Sequence, residues 1–76
     1  MAPRHLQKRD EACNMARFYR VDVAPTLFGE SSVVRTWGRI GTPGRTALET
    51  FPTLEAAEAA GAQTIRTKLR RGYAFA

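Results

Sequence analysis

The stretch VVRTWGRIGTPG, residues 33–44, holds the only tryptophan in a chain of 76 residues. It sets that tryptophan between two arginines, with a glycine beside it. From Ser32 to Gly41 the residues alternate, which predicts a β-strand. Val34, Thr36, Gly38 and Ile40 share one face, and Val33, Arg35, Trp37 and Arg39 share the other. The run GTPGR then carries hairpin chemistry, with Pro43 fixing φ and the glycines admitting positive φ. Arg45 to Phe51 returns as a further strand, whose faces are ambiguous because Leu48 and Phe51 differ in parity.

Working outward, Arg17 to Val23 alternates too, with Tyr19, Val21 and Val23 on an apolar side. The intervening loop APTLFGES is expected to tuck Leu27 and Phe28 against the sheet. After Pro52, Thr53 is a suitable N-cap. Glu55 and Glu58 open a helix that Lys68, Arg70 and Arg71 close, in line with the helix dipole. Ala57, Gly61, Ile65 and Leu69, joined by Leu54 and Ala60, form its sheet-facing stripe, and Gly72 is placed to end it. Tyr73 and Phe75 supply a short aromatic tail. The first thirteen residues read as an arm or an edge strand, followed by a domain over residues 14–76. The order predicts a small α+β fold, an antiparallel sheet with one helix packed on one face. The helix is expected on the Val34/Ile40 side, leaving the Trp37 side open or partly covered.

Composition narrows the function classes. A chain this short is at most one domain and buries only roughly 60% of its unfolded surface. One cysteine, Cys13, and one histidine, His5, leave no Cys/His zinc set and no firmly held nucleophile–base pair. No metal, cofactor or catalytic residue is therefore expected. No apolar run reaches the roughly 20 residues of a membrane span, and the N-terminus lacks a signal-peptide core, so a cytoplasmic protein is expected. GRIGTPGR has neither the Lys-Ser/Thr ending of a P-loop nor G-x-G-x-x-G spacing. An uncovered edge strand is a place where copies pair.

Twelve Lys and Arg against seven Asp and Glu give a net charge of +5, and ten of the twelve cations are arginines. Arginine binds phosphate bidentately and stacks on flat surfaces. On one sheet face Arg35, Trp37 and Arg39 lie about 7 Å apart in sequence. The indole would stack on a base or sugar, and the guanidinium groups would hold phosphates. Gly38 would clear room for a ligand, while Arg45 would extend the rim and Arg70 and Arg71 would assist. The competing placement buries Trp37 beneath Leu27 and Phe28. Alternation alone leaves the two level.

The runs RFYRVDV and VVRTWGRIGTPGR, with a helix ending KLRRGY, resemble the WGR domain, named for the triplet at Trp37, Gly38 and Arg39. The likeness runs from about Asn14 to Tyr73 and is nearest to short bacterial proteins made of this domain. In poly(ADP-ribose) polymerases the domain binds DNA near strand breaks. The resemblance implies a non-enzymatic nucleic-acid-binding module, DNA first and RNA as a variant. It implies sugar packing at Trp37; in place of the family's interdomain role, a phosphate contact falls to Arg39. The alternative is a protein-interaction module that recruits a DNA-processing partner through the Trp37 face.

Overall fold

A computed structural model describes residues 2–76; Met1, the first residue of the expected arm, lies outside the described residues. The elements are β1 (Arg4–Asp10), β2 (Met15–Pro25), β3 (Ser31–Arg39), β4 (Arg45–Phe51), α1 (Leu54–Arg70) and β5 (Ala74–Phe75). The strands form one antiparallel sheet in the order β4-β3-β2-β1-β5. The architecture is thus α+β, as expected. The molecule is elongated, 46 × 23 × 16 Å.

Three hairpin links join the first four strands. Asn14 takes φ 50° in the β1–β2 turn, where the Asp10 carboxylate accepts from the Ala12 N–H. The β2–β3 loop closes with the Thr26 N–H donating to the Glu30 carbonyl at 2.9 Å. Beyond β3, Ile40 N–H still donates to the Ala16 carbonyl at 2.9 Å, so pairing outlasts the strand by a residue.

Helix α1 starts after the outer strand β4, packs across β4, β3 and β2, and delivers β5 to the opposite edge beside β1. Thr53 caps it as expected, its hydroxyl accepting from the Ala56 N–H at 3.1 Å. At the other end Gly72 adopts φ 97°. Gly72 N–H donates to the Leu69 carbonyl at 3.2 Å and Tyr73 N–H to the Lys68 carbonyl at 3.1 Å. This paired closure is a Schellman motif. It folds Tyr73 back beside Lys68, which matters for the site below.

Two expectations about packing fail. The helix lies on the Trp37 side of β3, not on the Val34/Ile40 side. The core comprises Leu6, Tyr19, Val21, Val33, Ala57 and Ile65, with Trp37, Phe51 and Tyr73 packed against it. Register explains the choice. Tyr19 stands opposite both Leu6 and Trp37, while Val23 stands opposite Val33. Directly opposed residues share a face, so the apolar set of β1 and β2 selects the odd-numbered side of β3. The same register settles β4, where Phe51 turns toward the helix side and Leu48 toward the open face, 67% exposed.

Leu27 and Phe28 do not tuck against the sheet. They are 98% and 85% exposed, carried on the tip of a loop that projects past the strand ends. The N-terminal stretch also differs from an arm or an edge. Strand β1 is paired on both sides, and Leu6 within it is 0% exposed.

Candidate nucleic-acid interface

The helix covers only part of its sheet face. Near its C-terminal end a cavity of about 490 Å³ remains between β2, β3, the β1–β2 turn and the end of α1. Its wall includes Met15, Arg17, Tyr19, Trp37, Lys68 and Tyr73, and among the described residues no carboxylate contributes to it. The volume falls within the range of about 300–1,000 Å³ usual for ligand sites.

The aromatic floor is built by register and by the helix closure. Trp37 and Tyr19, opposed across β3 and β2, stack with ring centroids 6.1 Å apart and planes 19° from parallel. Tyr73 meets Tyr19 edge-on at 6.3 Å and 75°. The Lys68 ammonium sits 4.5 Å from the Tyr19 ring centre and 5.6 Å from that of Tyr73. Cations over such ring faces are attracted by the ring quadrupole. Lys8 adds a second cation, 5.9 Å from the Tyr73 ring, and its Nζ donates to the Arg71 carbonyl at 2.6 Å.

This density of positive charge alters the protonation chemistry. Burial lowers the pKa of Lys68 below the usual lysine value, and the neighbouring charges of Arg71, Arg17, Arg35 and Lys8 lower it further. Burial raises the pKa of Tyr19, against a smaller opposing effect of the Arg35 guanidinium. A cluster of cations that repel one another, without an acid in the cavity wall, is suited to receive an anion.

Of the residues selected from sequence, Trp37, Gly38 and Arg39 line this cavity. Trp37 is half-buried, an intermediate outcome between the surface and core placements. Arg39 is exposed at the end of β3, where its Nη1 reaches the Asn14 carbonyl at 3.4 Å. Gly38 also meets a packing requirement of the hairpin. A Cβ there would come within 2.8 Å of Gly44 Cα, so the residue is kept small by the returning hairpin loop. Arg35, Arg45, Arg70 and Arg71 lie outside the wall. Arg35 is half-buried opposite Val21, and Arg45 is exposed opposite Trp37 on the outer strand. Arg70 and Arg71 are exposed at the helix end.

Arg17, Lys68 and Tyr73 also line the wall, beyond the residues that the sequence singles out, and Tyr19 is a core residue as its apolar strand face implies while also flooring the cavity. Signals for two of the added residues existed. Arg17 shares the parity of Tyr19, and Lys68 lies seven residues after Gly61 and three after Ile65, on the buried helix stripe.

Comparison with known proteins bears on the whole of this assembly. The family model described as WGR domain matches residues 2–76. A protein of Sinorhizobium fredii named "Uncharacterized protein y4dW" is 38% identical over 69 residues, covering 91% of this chain and 34% of that protein. The chain thus spans about a third of the length of this relative. No solved structure matches the chain.

Proposed function

The chain belongs to the WGR domain family, and on that premise we propose that it is a non-enzymatic module that binds DNA through the Trp37 cavity and its arginine rim. The family is known for nucleic-acid binding in proteins like the poly(ADP-ribose) polymerases. The observation that carries the reading is the stacked Trp37–Tyr19 pair with Lys68 over the Tyr19 ring, in a cavity whose wall has cations and aromatic rings but, among the described residues, no acid. Aromatic faces take bases and sugars without regard to sequence, at about 1–3 kcal/mol per stacked base. Arg17, Arg39 and Lys68 neutralise phosphates and release counterions, while Arg35, Arg45, Arg70 and Arg71 extend the positive field. Sequence selectivity is modest, since a groove of this kind reads backbone and ring faces more than base edges.

The test is fluorescence anisotropy of labelled duplex, nicked and single-stranded oligonucleotides across a salt series, with RNA as competitor. Binding is expected at low salt and to weaken linearly in log salt. Arg17→Ala is expected to flatten that slope by about 1. Absence of binding at low salt, or equal binding by wild type and Arg17→Ala at every salt, refutes the proposal. Co-purification of one protein after nuclease treatment would instead support partner recruitment.

A further inference from the structure

The two ends of this molecule are chemically opposite. Register brings Pro25, Ser31 and Phe51 level, so the Thr26–Glu30 loop and the start of α1 emerge from the same end. The segments that build this end, residues 22–34 and 46–65, contain no lysine or arginine, and Arg4 and Arg35 stand just behind it, opposite Val21. These segments carry Asp22, Glu30, Glu49, Glu55 and Glu58, five of the chain's seven acids; the other two, Asp10 and Glu11, adjoin the β1–β2 turn. At the apex stand Leu27 and Phe28, 98% and 85% exposed. The cationic cavity lies toward the other end, beside the β1–β2 turn.

We infer that the Leu27–Phe28 tip of one copy docks into the Trp37 cavity of a second copy, giving head-to-tail association that occupies the proposed nucleic-acid site. The chemistry matches on both counts. A benzyl side chain suits a cavity walled by Trp37, Tyr73 and Met15, where ring–ring and sulfur–ring contacts are available. Glu30, two residues from Phe28, arrives with the tip and supplies the carboxylate that the cavity wall lacks. The cations around Lys68, held close against mutual repulsion, gain a counter-charge. A copy docked this way leaves its own cavity free for the next tip, so the contact is heterologous and does not close.

A loop tip buries far less surface than a standard interface, so the contact is weak, with a dissociation constant of about 0.1–1 mM. Self-docking is independent of the nucleic-acid reading. Only its release by an oligonucleotide rests on that reading.

The test is sedimentation velocity of the full chain without nucleic acid, from about 20 μM to about 2 mM, bracketing that constant. The weight-average mass is expected to climb from the monomer's 8.4 kDa past that of a dimer. The double variant L27S/F28S, altered where the side chains pack on nothing, is expected to stay monomeric. Arg17→Glu, at an exposed position of the cavity wall, is expected to do the same. An equimolar mixture of these two variants retains one good tip and one good cavity, and is expected to stop at the dimer. Concentration-dependent amide shifts in the wild type, at Gly29 and at the Trp37 indole N–H, provide a readout that needs no variant. A wild type that remains monomeric, a symmetric dimer that goes no further, or a mixture that fails to associate overturns the inference. The tip variant is expected to bind oligonucleotide like wild type, and oligonucleotide is expected to return the wild type to monomer mass. If no oligonucleotide binds, the nucleic-acid reading fails, and the mass data alone decide the docking.

Discussion

The Trp37 indole lies nearly parallel to the Tyr19 phenol, 6.1 Å away across paired strands, so the ring proposed to meet a ligand is also a wall of the core. The indole is half-buried against the core, which fixes its orientation. Replacing Trp37 therefore affects both fold and binding. Trp37→Phe keeps a ring on Tyr19 and is expected to cost under about 1.5 kcal/mol of stability. Trp37→Ala is expected to cost about 2–4 kcal/mol and to weaken oligonucleotide binding by about tenfold or more. Denaturant unfolding and anisotropy on both variants separate the two effects: the ligand-facing role fails if affinity merely tracks the folded fraction.

The Trp37 position depends in turn on the glycines of its hairpin. Gly44 has φ 74°, and a Cβ there would strike the Trp37 carbonyl oxygen and come 2.8 Å from the Phe18 ring. Gly41 has φ 96° but open space around it. Gly44→Ala is expected to destabilise by about 2–4 kcal/mol, while Gly41→Ala costs about 1 kcal/mol. Equal costs in thermal unfolding would show that backbone strain alone, without the close approach, sets the requirement.

Strand β1 makes the first residues integral to the domain. Leu6, with no exposed surface, stands between Tyr19 on one side and Phe75 on the other. Leu6→Ala is expected to lose about 2–5 kcal/mol, a large part of the stability of so small a domain. Removing residues 1–13 is expected to abolish cooperative unfolding by calorimetry. A truncated chain that still melts sharply would contradict the role assigned to β1.

Alkaline titration probes Lys68 and Tyr19 together. Lys68 has a folded pKa below its unfolded value near 10.5, so folding disfavours its charged form. Stability from this group rises as pH climbs through the folded pKa toward 10.5. Tyr19 has a folded pKa above its unfolded value of 10.0. Its contribution is full below 10.0 and is lost as pH rises through the folded pKa. Lys68→Met is expected to remove the rise and leave the fall. A bound oligonucleotide is expected to raise the Lys68 pKa, as read from its side-chain NMR shifts; an unchanged value would place the anion elsewhere.

The local devices of this fold were legible in the sequence, and its faces were not. Thr53 as a cap, Gly72 as a terminator and the turn at Gly41–Arg45 each depend on a few adjacent residues. Which side of β3 meets the helix depends on how Tyr19 and Leu6 align with Trp37, a relation between distant segments. Strand β3 carries valines of both parities, Val33 and Val34, and so offers no internal preference. Leu27 and Phe28 misled for a related reason. Apolar residues in a loop are expected to find cover, but the closing bond between Thr26 and Glu30 holds their tip away from the sheet. The cavity was only half visible, because Tyr73 reaches Tyr19 through the Schellman turn that folds it back beside Lys68.

The pairing of β5 with β1 sets Ala76 beside His5, whose carbonyl accepts from the Ala76 N–H at 2.9 Å. The beginning and end of the described chain therefore leave the sheet as neighbours, along the edge away from β4. A short linker would join them, and the Leu27–Phe28 loop offers a place to open new ends. Such a circular permutant would move the attachment point of any fused domain from the β1–β5 edge to the tip of the β2–β3 loop, with every strand pair retained.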